Sequence, residues 1–173
     1  HLKEFCPVYG FDVEEIPAQD IDHIKVSSTK IRRALLEGEI ETANTYLTRP
    51  YRLTGFVVKG DQLGRQIGFP TANLNLDDAK KLIPKNGVYA VLVRIDGSEK
   101  KHNAMCNIGV RPTVSGKTKT IEINMFDFNL NIYGTKLTVF FKQRIRDEQK
   151  FESVENLKAQ LILDEAKCRS ILA

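Results

Sequence analysis

Tryptophan is absent from this chain, and cysteine, methionine and histidine are scarce: three, two and three among 173 residues. Cys6, Cys106 and Cys168 are an odd number and lie far apart, which fits neither a disulfide framework nor a zinc site. Their expected role is as small buried or half-buried thiols. No apolar run approaches the roughly 20 residues that a membrane-spanning helix needs, so no membrane partner is expected. No secretory signal is visible, which makes the cytoplasm the expected compartment. Neither sign of charge dominates. The 26 Lys and Arg against 22 Asp and Glu leave a formal +4, compatible with an anionic nucleotide and too weak to argue for nucleic acid. There is no internal repeat, no low-complexity segment and no Gly-x-Gly-x-x-Gly dinucleotide fingerprint.

What the chain does have is enough apolar material, 42%, for a core. Its length suits one complete domain plus an appendage. It begins with His1 and not methionine, and reads as a piece of something longer. Phe11-Asp12-Val13-Glu14-Glu15-Ile16 alternates apolar and acidic residues. Further on, Ser27 and Ser28 make a good helix N-cap, with Ile31, Leu35 and Leu36 as an apolar stripe and Gly38 as the stop. A second short helix is expected from Glu39 to about Leu47, and Pro50 opens the next domain.

From there the pattern changes to short apolar or alternating segments: Val57-Val58, Val88 to Ile95, Ala104 to Ile108, Thr120 to Phe126 and Leu137 to Phe141. Turn residues such as Asp96-Gly97 and Ser115-Gly116 separate them. Strands at short intervals without intervening helices predict a closed antiparallel barrel. A final helix should start at Ser153, with Val154, Leu157, Leu161, Cys168 and Leu172 facing the barrel. Gly116-Lys117-Thr118 ends like a phosphate-binding Walker loop, but Arg111 stands where the first glycine is required, so a hairpin turn is the better reading.

The most informative stretch is Gly64-Arg65-Gln66-Ile67-Gly68-Phe69-Pro70-Thr71-Ala72-Asn73. Pro70 fixes its own φ and pushes Phe69 out of the helical region, so the chain here is extended. Thr71 and Asn73 then share a face and Ala72 takes the other. Two neutral oxygen ligands suit a Mg²⁺ whose other positions hold phosphate and water. Gly60, Gly64 and Gly68 would let backbone approach a phosphate chain, with Lys59 and Arg65 adding charge. A surface hairpin with ordinary turn glycines is the competing reading. Glu122 raises a similar choice. In Thr120-Ile121-Glu122-Ile123-Asn124-Met125 it lies on the polar face of an alternating strand, as a solvent-facing side chain or as a general base.

The glycine stretch resembles the signature of riboflavin kinases, which phosphorylate riboflavin to FMN with ATP. Matches follow in family order at Asn86-Gly87-Val88-Tyr89-Ala90, Asn107-Ile108-Gly109-Val110-Arg111-Pro112-Thr113, Ile121-Glu122, Tyr133-Gly134 and Ile145 to Phe151. Val26-Ser27-Ser28-Thr29-Lys30-Ile31-Arg32 is similar to a nucleotidyltransferase motif, found near the end of the FMN adenylyltransferase domain in bifunctional FAD synthetases of prokaryotic type. That domain also uses a His-x-Gly-His motif, which none of His1, His23 and His102 forms.

The resemblance implies a mainly β fold: a six-stranded antiparallel closed barrel with a C-terminal α-helix, preceded by a short helical remnant of a Rossmann-like nucleotidyltransferase domain. Residues 1–49 would be that remnant and 50–173 the riboflavin kinase domain. The remnant, lacking partner strands, is expected to be the less stable part. The resemblance further implies Glu122 as catalytic base and Thr71 and Asn73 as Mg²⁺ ligands. Gly60, Arg65, Gly68, Thr71, Met125 and Tyr133 would contact ATP. Arg146 and Phe151 would contact the flavin, with Gln149 an equivocal position. Ser27, Ser28 and Arg32 would be a residual adenylyltransferase motif. ATP and riboflavin are the implied small-molecule partners, with FMN as product and no nucleic acid. Two rivals stand beside this reading: a nucleic-acid-binding β-barrel using Tyr89, Phe126, Phe128, Tyr133, Phe140 and Phe141, and a non-catalytic flavin carrier.

Overall fold

A computed structural model of the chain describes residues 2–14, 20–21, 24–60, 63–113 and 116–173. His1, Glu15, Ile16, His23 and Ser115 lie outside the described residues. The elements are, in order, α1 (Leu2–Tyr9), a two-residue ladder of β1 (Asp20–Ile21) and β2 (Ile24–Lys25), α2 (Ser28–Glu37), α3 (Ile40–Leu47) and β3 (Arg52–Val58). Then come α4 (Leu63–Gln66), β4 (Ala72–Leu76), β5 (Gly87–Ile95), β6 (Lys101–Thr113), β7 (Gly116–Met125), β8 (Lys136–Arg146) and α5 (Val154–Leu172).

Strands β3 to β8 close into an antiparallel barrel in the order β3-β4-β7-β6-β5-β8, with β8 pairing back onto β3. Closure satisfies every strand edge, which is why short strands suffice. Alternation fills the interior: Leu53 and Val57 from β3, Tyr89, Val91 and Val93 from β5, and Leu137, Val139 and Phe141 from β8 are all buried in one cluster. A second cluster lies outside the barrel wall. There Ala90 and Met105 meet Phe69, Phe126 and Cys168, with Leu161, Ile171 and Leu172 packed against them. Helix α5 is thus docked on the outside of β5 and β6, capped by the Ser153 hydroxyl, which accepts from Asn156 N at 3.1 Å.

Three expectations need correction. Val154 is 50% exposed, so the docking stripe of α5 begins one turn later, at Leu157. Leu36 is 54% exposed. It follows Leu35 by one residue, a rotation of about 100° around the helix, and so leaves the buried face. Nor do the N-terminal helices lack partners. Ala34, Leu35, Ile40 and Ala43 are buried in the barrel's main cluster. Asn44 fastens α3 to the barrel, donating to Phe141 O at 2.9 Å and accepting from Tyr51 N at 2.7 Å. Helix α2 is capped as expected, with Ser27 accepting from Lys30 N and Gly38 left-handed at φ 85°. Helix α1 leaves Phe5, Val8 and Tyr9 between 48% and 72% exposed.

Candidate active site

Thr71 directly precedes β4, which carries Ala72 and Asn73 into the barrel wall and pairs with β7, placing Ala72 opposite Ile123 and Asn73 opposite Glu122. The ladder continues that row. Glu122 is opposite Asn107 on β6, Asn107 opposite Val88 on β5, and Val88 opposite Arg146 on β8. Strands lie about 4.8 Å apart, so five residues from five strands form one line roughly 19 Å long on the outer face of the wall. All five line a cavity of about 310 Å³, closed by Gly64 to Phe69 on one side and by Gln149, Phe151 and α5 on the other.

A second cavity, about 440 Å³, opens on the other face of β4 and β7. Arg65, Thr71, Met125 and Tyr133 line it, together with Ala72 and Ile123 from the inward face of the same strands. Thr71 is the one described residue lining both cavities. Period-2 alternation therefore assigns neighbours on one strand to different spaces: Asn73 and Glu122 outward, Ala72 and Ile123 inward.

Polar contacts fix the row. Arg111 Nη2 donates to Glu122 Oε1 at 2.6 Å, so Glu122 is a half-buried, ion-paired carboxylate and not the solvent-facing side chain that alternation also allowed. Asn124, two residues on and 6% exposed, donates to Pro70 O at 2.8 Å and so ties β7 to the turn that delivers Thr71. A Cβ at Gly60 would lie 2.1 Å from Asn73 Nδ2, so only glycine lets the loop rest on that amide. Gly60 thus contacts Asn73, and Gly68 is exposed in the turn after α4; neither lines a cavity. Asn73 and Thr71 offer neutral oxygens to one space, and no group of three His, Cys, Asp or Glu able to hold a metal exists among the described residues. That donor set fits a Mg²⁺ carried largely by phosphate and water.

The segment 147–151, which follows β8, is held by side chains. Arg144 donates to Asp147 Oδ1 at 2.7 Å and to Asn86 O at 2.6 Å. These contacts hold the Asp147 carboxyl below the usual carboxylate range, the Arg144 hydrogen bond being the main cause. Glu148 accepts from Asn86 Nδ2 at 3.2 Å and rests against Gly109, where a Cβ would come within 2.4 Å of its carboxylate. Arg146 forks onto Asp164 of α5 at 2.7 to 3.0 Å, and its guanidinium lies 5.8 Å from the Phe151 ring centre. Sequence reasoning missed Arg111, Asn107, Asn124, Glu148 and Asp164. Arg111 and Asn107 stand in a quoted motif, whereas nothing local marks Asp164. Ser27, Ser28 and Arg32 line neither cavity.

The aromatic platform of the nucleic-acid reading does not form. Tyr89 and Phe141 are inside the barrel, edge to face at 5.3 Å, and Phe126 is buried under α5. Comparison with known proteins decides the family: the riboflavin kinase model matches residues 47–172.

The chain belongs to the riboflavin kinase family.

It is 42% identical over 165 residues to the bifunctional riboflavin kinase/FMN adenylyltransferase of Pseudomonas fluorescens, covering 95% of this chain and 52% of that protein. The Haemophilus influenzae protein of the same description is 43% identical, with 90% and 50% covered. The chain therefore spans about half the length of the curated relatives it matches. Among solved structures, a Streptococcus pneumoniae protein described as a macrolide-efflux protein superposes with a TM-score of 0.83 at 42% identity, over 89% of this chain and 50% of that one. Riboflavin kinase from Trypanosoma brucei superposes at 0.50 with 26% identity, over 71% and 80%. No helix among the described residues is long and apolar enough to cross a membrane. The domain that the family model covers is that of a phosphotransferase, riboflavin kinase. Neither rival reading, nucleic-acid barrel or passive flavin carrier, finds support in these matches.

Proposed function

We propose that ATP occupies the cavity lined by Arg65, Met125 and Tyr133, that riboflavin occupies the cavity lined by Arg146 and Phe151, and that transfer occurs where the two meet at Thr71. The observation that carries this is the cross-strand row Asn73–Glu122–Asn107–Val88–Arg146, which aligns the proposed metal, base and flavin residues along one cavity. Thr71 and Asn73 would hold a Mg²⁺, which when bound neutralises charge on the phosphates. Glu122 accepts the proton of the terminal ribityl hydroxyl as that oxygen attacks the γ-phosphorus and the bond to ADP breaks. Arg111 holds the Glu122 carboxylate and adds positive charge to the same cavity. Arg146 and Phe151 hold the flavin end, and Gln149 lines that wall without a charge.

Residues 1–49 are proposed as the tail of an FMN adenylyltransferase domain and 50–173 as the kinase domain, because the relatives that match over half their length are described as bifunctional. The proposed compartment is the cytoplasm, where ATP is available and buried thiols such as Cys106 and Cys168 stay reduced. The test is the mass of the products. Riboflavin, ATP and Mg²⁺ should give FMN and ADP, and chelator in excess should stop the reaction. FMN offered in place of riboflavin should give no FAD, since one capped helix N-terminus cannot orient it for attack on the α-phosphate. Unchanged turnover in chelator removes the metal assignment; FAD formation by the 173-residue chain removes the remnant assignment.

A further inference from the structure

Asp164 is the one described carboxylate in the chain that is almost fully buried, at 2% exposure, and it sits in the middle of α5. An ionised carboxylate is costly to bury unless it is paired and hydrogen-bonded. Here the pairing is complete. Arg146 Nε approaches Oδ1 and Oδ2 at 3.0 Å each, Arg146 Nη2 donates to Oδ2 at 2.7 Å, and Gln160 Nε2 donates to Oδ1 at 2.9 Å. On its other side Arg146 Nη1 donates to Asp147 O at 2.9 Å. Three of the five guanidinium N–H groups are thereby engaged and two are left for a ligand. A fork of this kind fixes the plane of the guanidinium as well as its position.

Helix docking alone does not call for this arrangement. Leu161, Cys168, Ile171 and Leu172 already seat α5 on the barrel, and a buried ion pair stabilises no better than apolar residues of similar volume. What an apolar residue at 164 could not do is orient Arg146. Leu157, Leu161 and Asp164 recur at helical spacing, and the first two line the flavin-side cavity with Arg146 and Phe151.

We propose that Asp164 is a positioning residue for the kinase reaction: through Gln160 and the fork to Arg146 it holds the guanidinium against the Phe151 side of the cavity, and so sets riboflavin affinity. This rests on the reading of Arg146 as a flavin contact. It acts on flavin binding and leaves the nucleotide side untouched.

The experiment measures riboflavin Kd by quenching of flavin fluorescence, KM for both substrates, kcat and Tm in four variants. Arg146→Met tests the underlying reading. If its riboflavin Kd equals the parent's, the flavin assignment of Arg146 fails and the proposal falls with it. Asp164→Asn keeps an acceptor oxygen and loses the charge. Its riboflavin Kd should rise about tenfold, while the ATP KM and the kcat at saturating riboflavin stay within about threefold. A folded Asp164→Asn with parental riboflavin Kd, beside a weakened Arg146→Met, overturns the proposal alone. So does an equal rise in the ATP KM, the mark of a general structural role. Should Asp164→Asn not fold, Arg146→Met/Asp164→Leu removes both charges and keeps an apolar filling. Its riboflavin Kd should match that of Arg146→Met, and further weakening would show that Asp164 does not act through Arg146. Gln160→Ala should give a rise of about two- to threefold, and no change there contradicts the chain of contacts.

Discussion

The two parts of the site are held in different ways. Asn73, Glu122 and Asn107 take their positions from backbone ladders, so their spacing changes only if strands unpair. The walls around them are loops. Residues 147–151 are clasped by Arg144, Asn86 and Arg146, and the segment after β7 is clasped by Arg169 of α5, which forks onto Asp127 at 2.8 and 2.9 Å. On the proposed assignment the row supplies fixed geometry for the chemistry, where a displacement of about 1 Å is costly. The loops supply surfaces that can admit and release ligands. Changes in the row should therefore appear in kcat, and changes in the walls in KM or Kd.

The sharpest way to break this contrast is at Glu122. Glu122→Gln should lower kcat by about a hundredfold or more, the usual scale for losing a general base, with riboflavin and ATP binding little changed. Single-turnover rates beside equilibrium binding check this, and a parental rate would assign the base to another group or to water. Asn73→Ala comes next. It should lower kcat by about tenfold or more and raise the Mg²⁺ concentration needed for half-maximal rate, while thermal unfolding stays near the parent's, because the amide faces the cavity and not the core. A wall residue should behave differently. Tyr133 is 42% exposed beside the cavity proposed for ATP, and Tyr133→Ala should raise the ATP KM by about fivefold, with kcat and riboflavin Kd unchanged. A kcat loss as large as that of Asn73→Ala would erase the distinction between row and wall.

Particular residues show what the sequence could and could not convey. Pro70 and the alternation of Thr120 to Met125 are local signals: they put Thr71 and Asn73 on one face of an extended segment and Glu122 on the polar face of its strand. The cap at Ser153 and the turn at Asp96-Gly97 are equally local. Register is not. That Asn73 lies opposite Glu122 depends on pairing residues 49 positions apart, through a connection that includes two other strands, and nothing in either segment specifies it. Asp164 shows the same limit. In sequence it is a charged residue on a helix, a type that is mostly solvent-exposed, and only Arg146 in place makes its burial tolerable. Arg111 was visible in a motif, yet its pairing with Glu122 across β6 and β7 needed the ladder.

The smallest effect is expected at the exposed clasp, which resembles the Arg146–Asp164 fork in geometry and differs in burial. The Asp127 side chain is 78% exposed where that of Asp164 is 2%. The hydrogen bond from Arg169 is the main cause holding the Asp127 carboxyl below its ordinary range. A group whose folded pKa is lowered contributes stability above its unfolded pKa, near 3.9 for Asp, and loses it as pH falls through the lower folded value. In water both charges are well solvated and salt screens them, so that contribution is small. Asp127→Asn should leave kcat and riboflavin Kd at parental values and lower Tm only slightly at neutral pH. The difference should close at acid pH or in high salt. Thermal melts of the two proteins at pH 7 and pH 3, with and without about 1 M salt, measure it. A large salt-independent loss of Tm, or a riboflavin Kd raised as far as in Asp164→Asn, would mean that burial is not what separates the two forks.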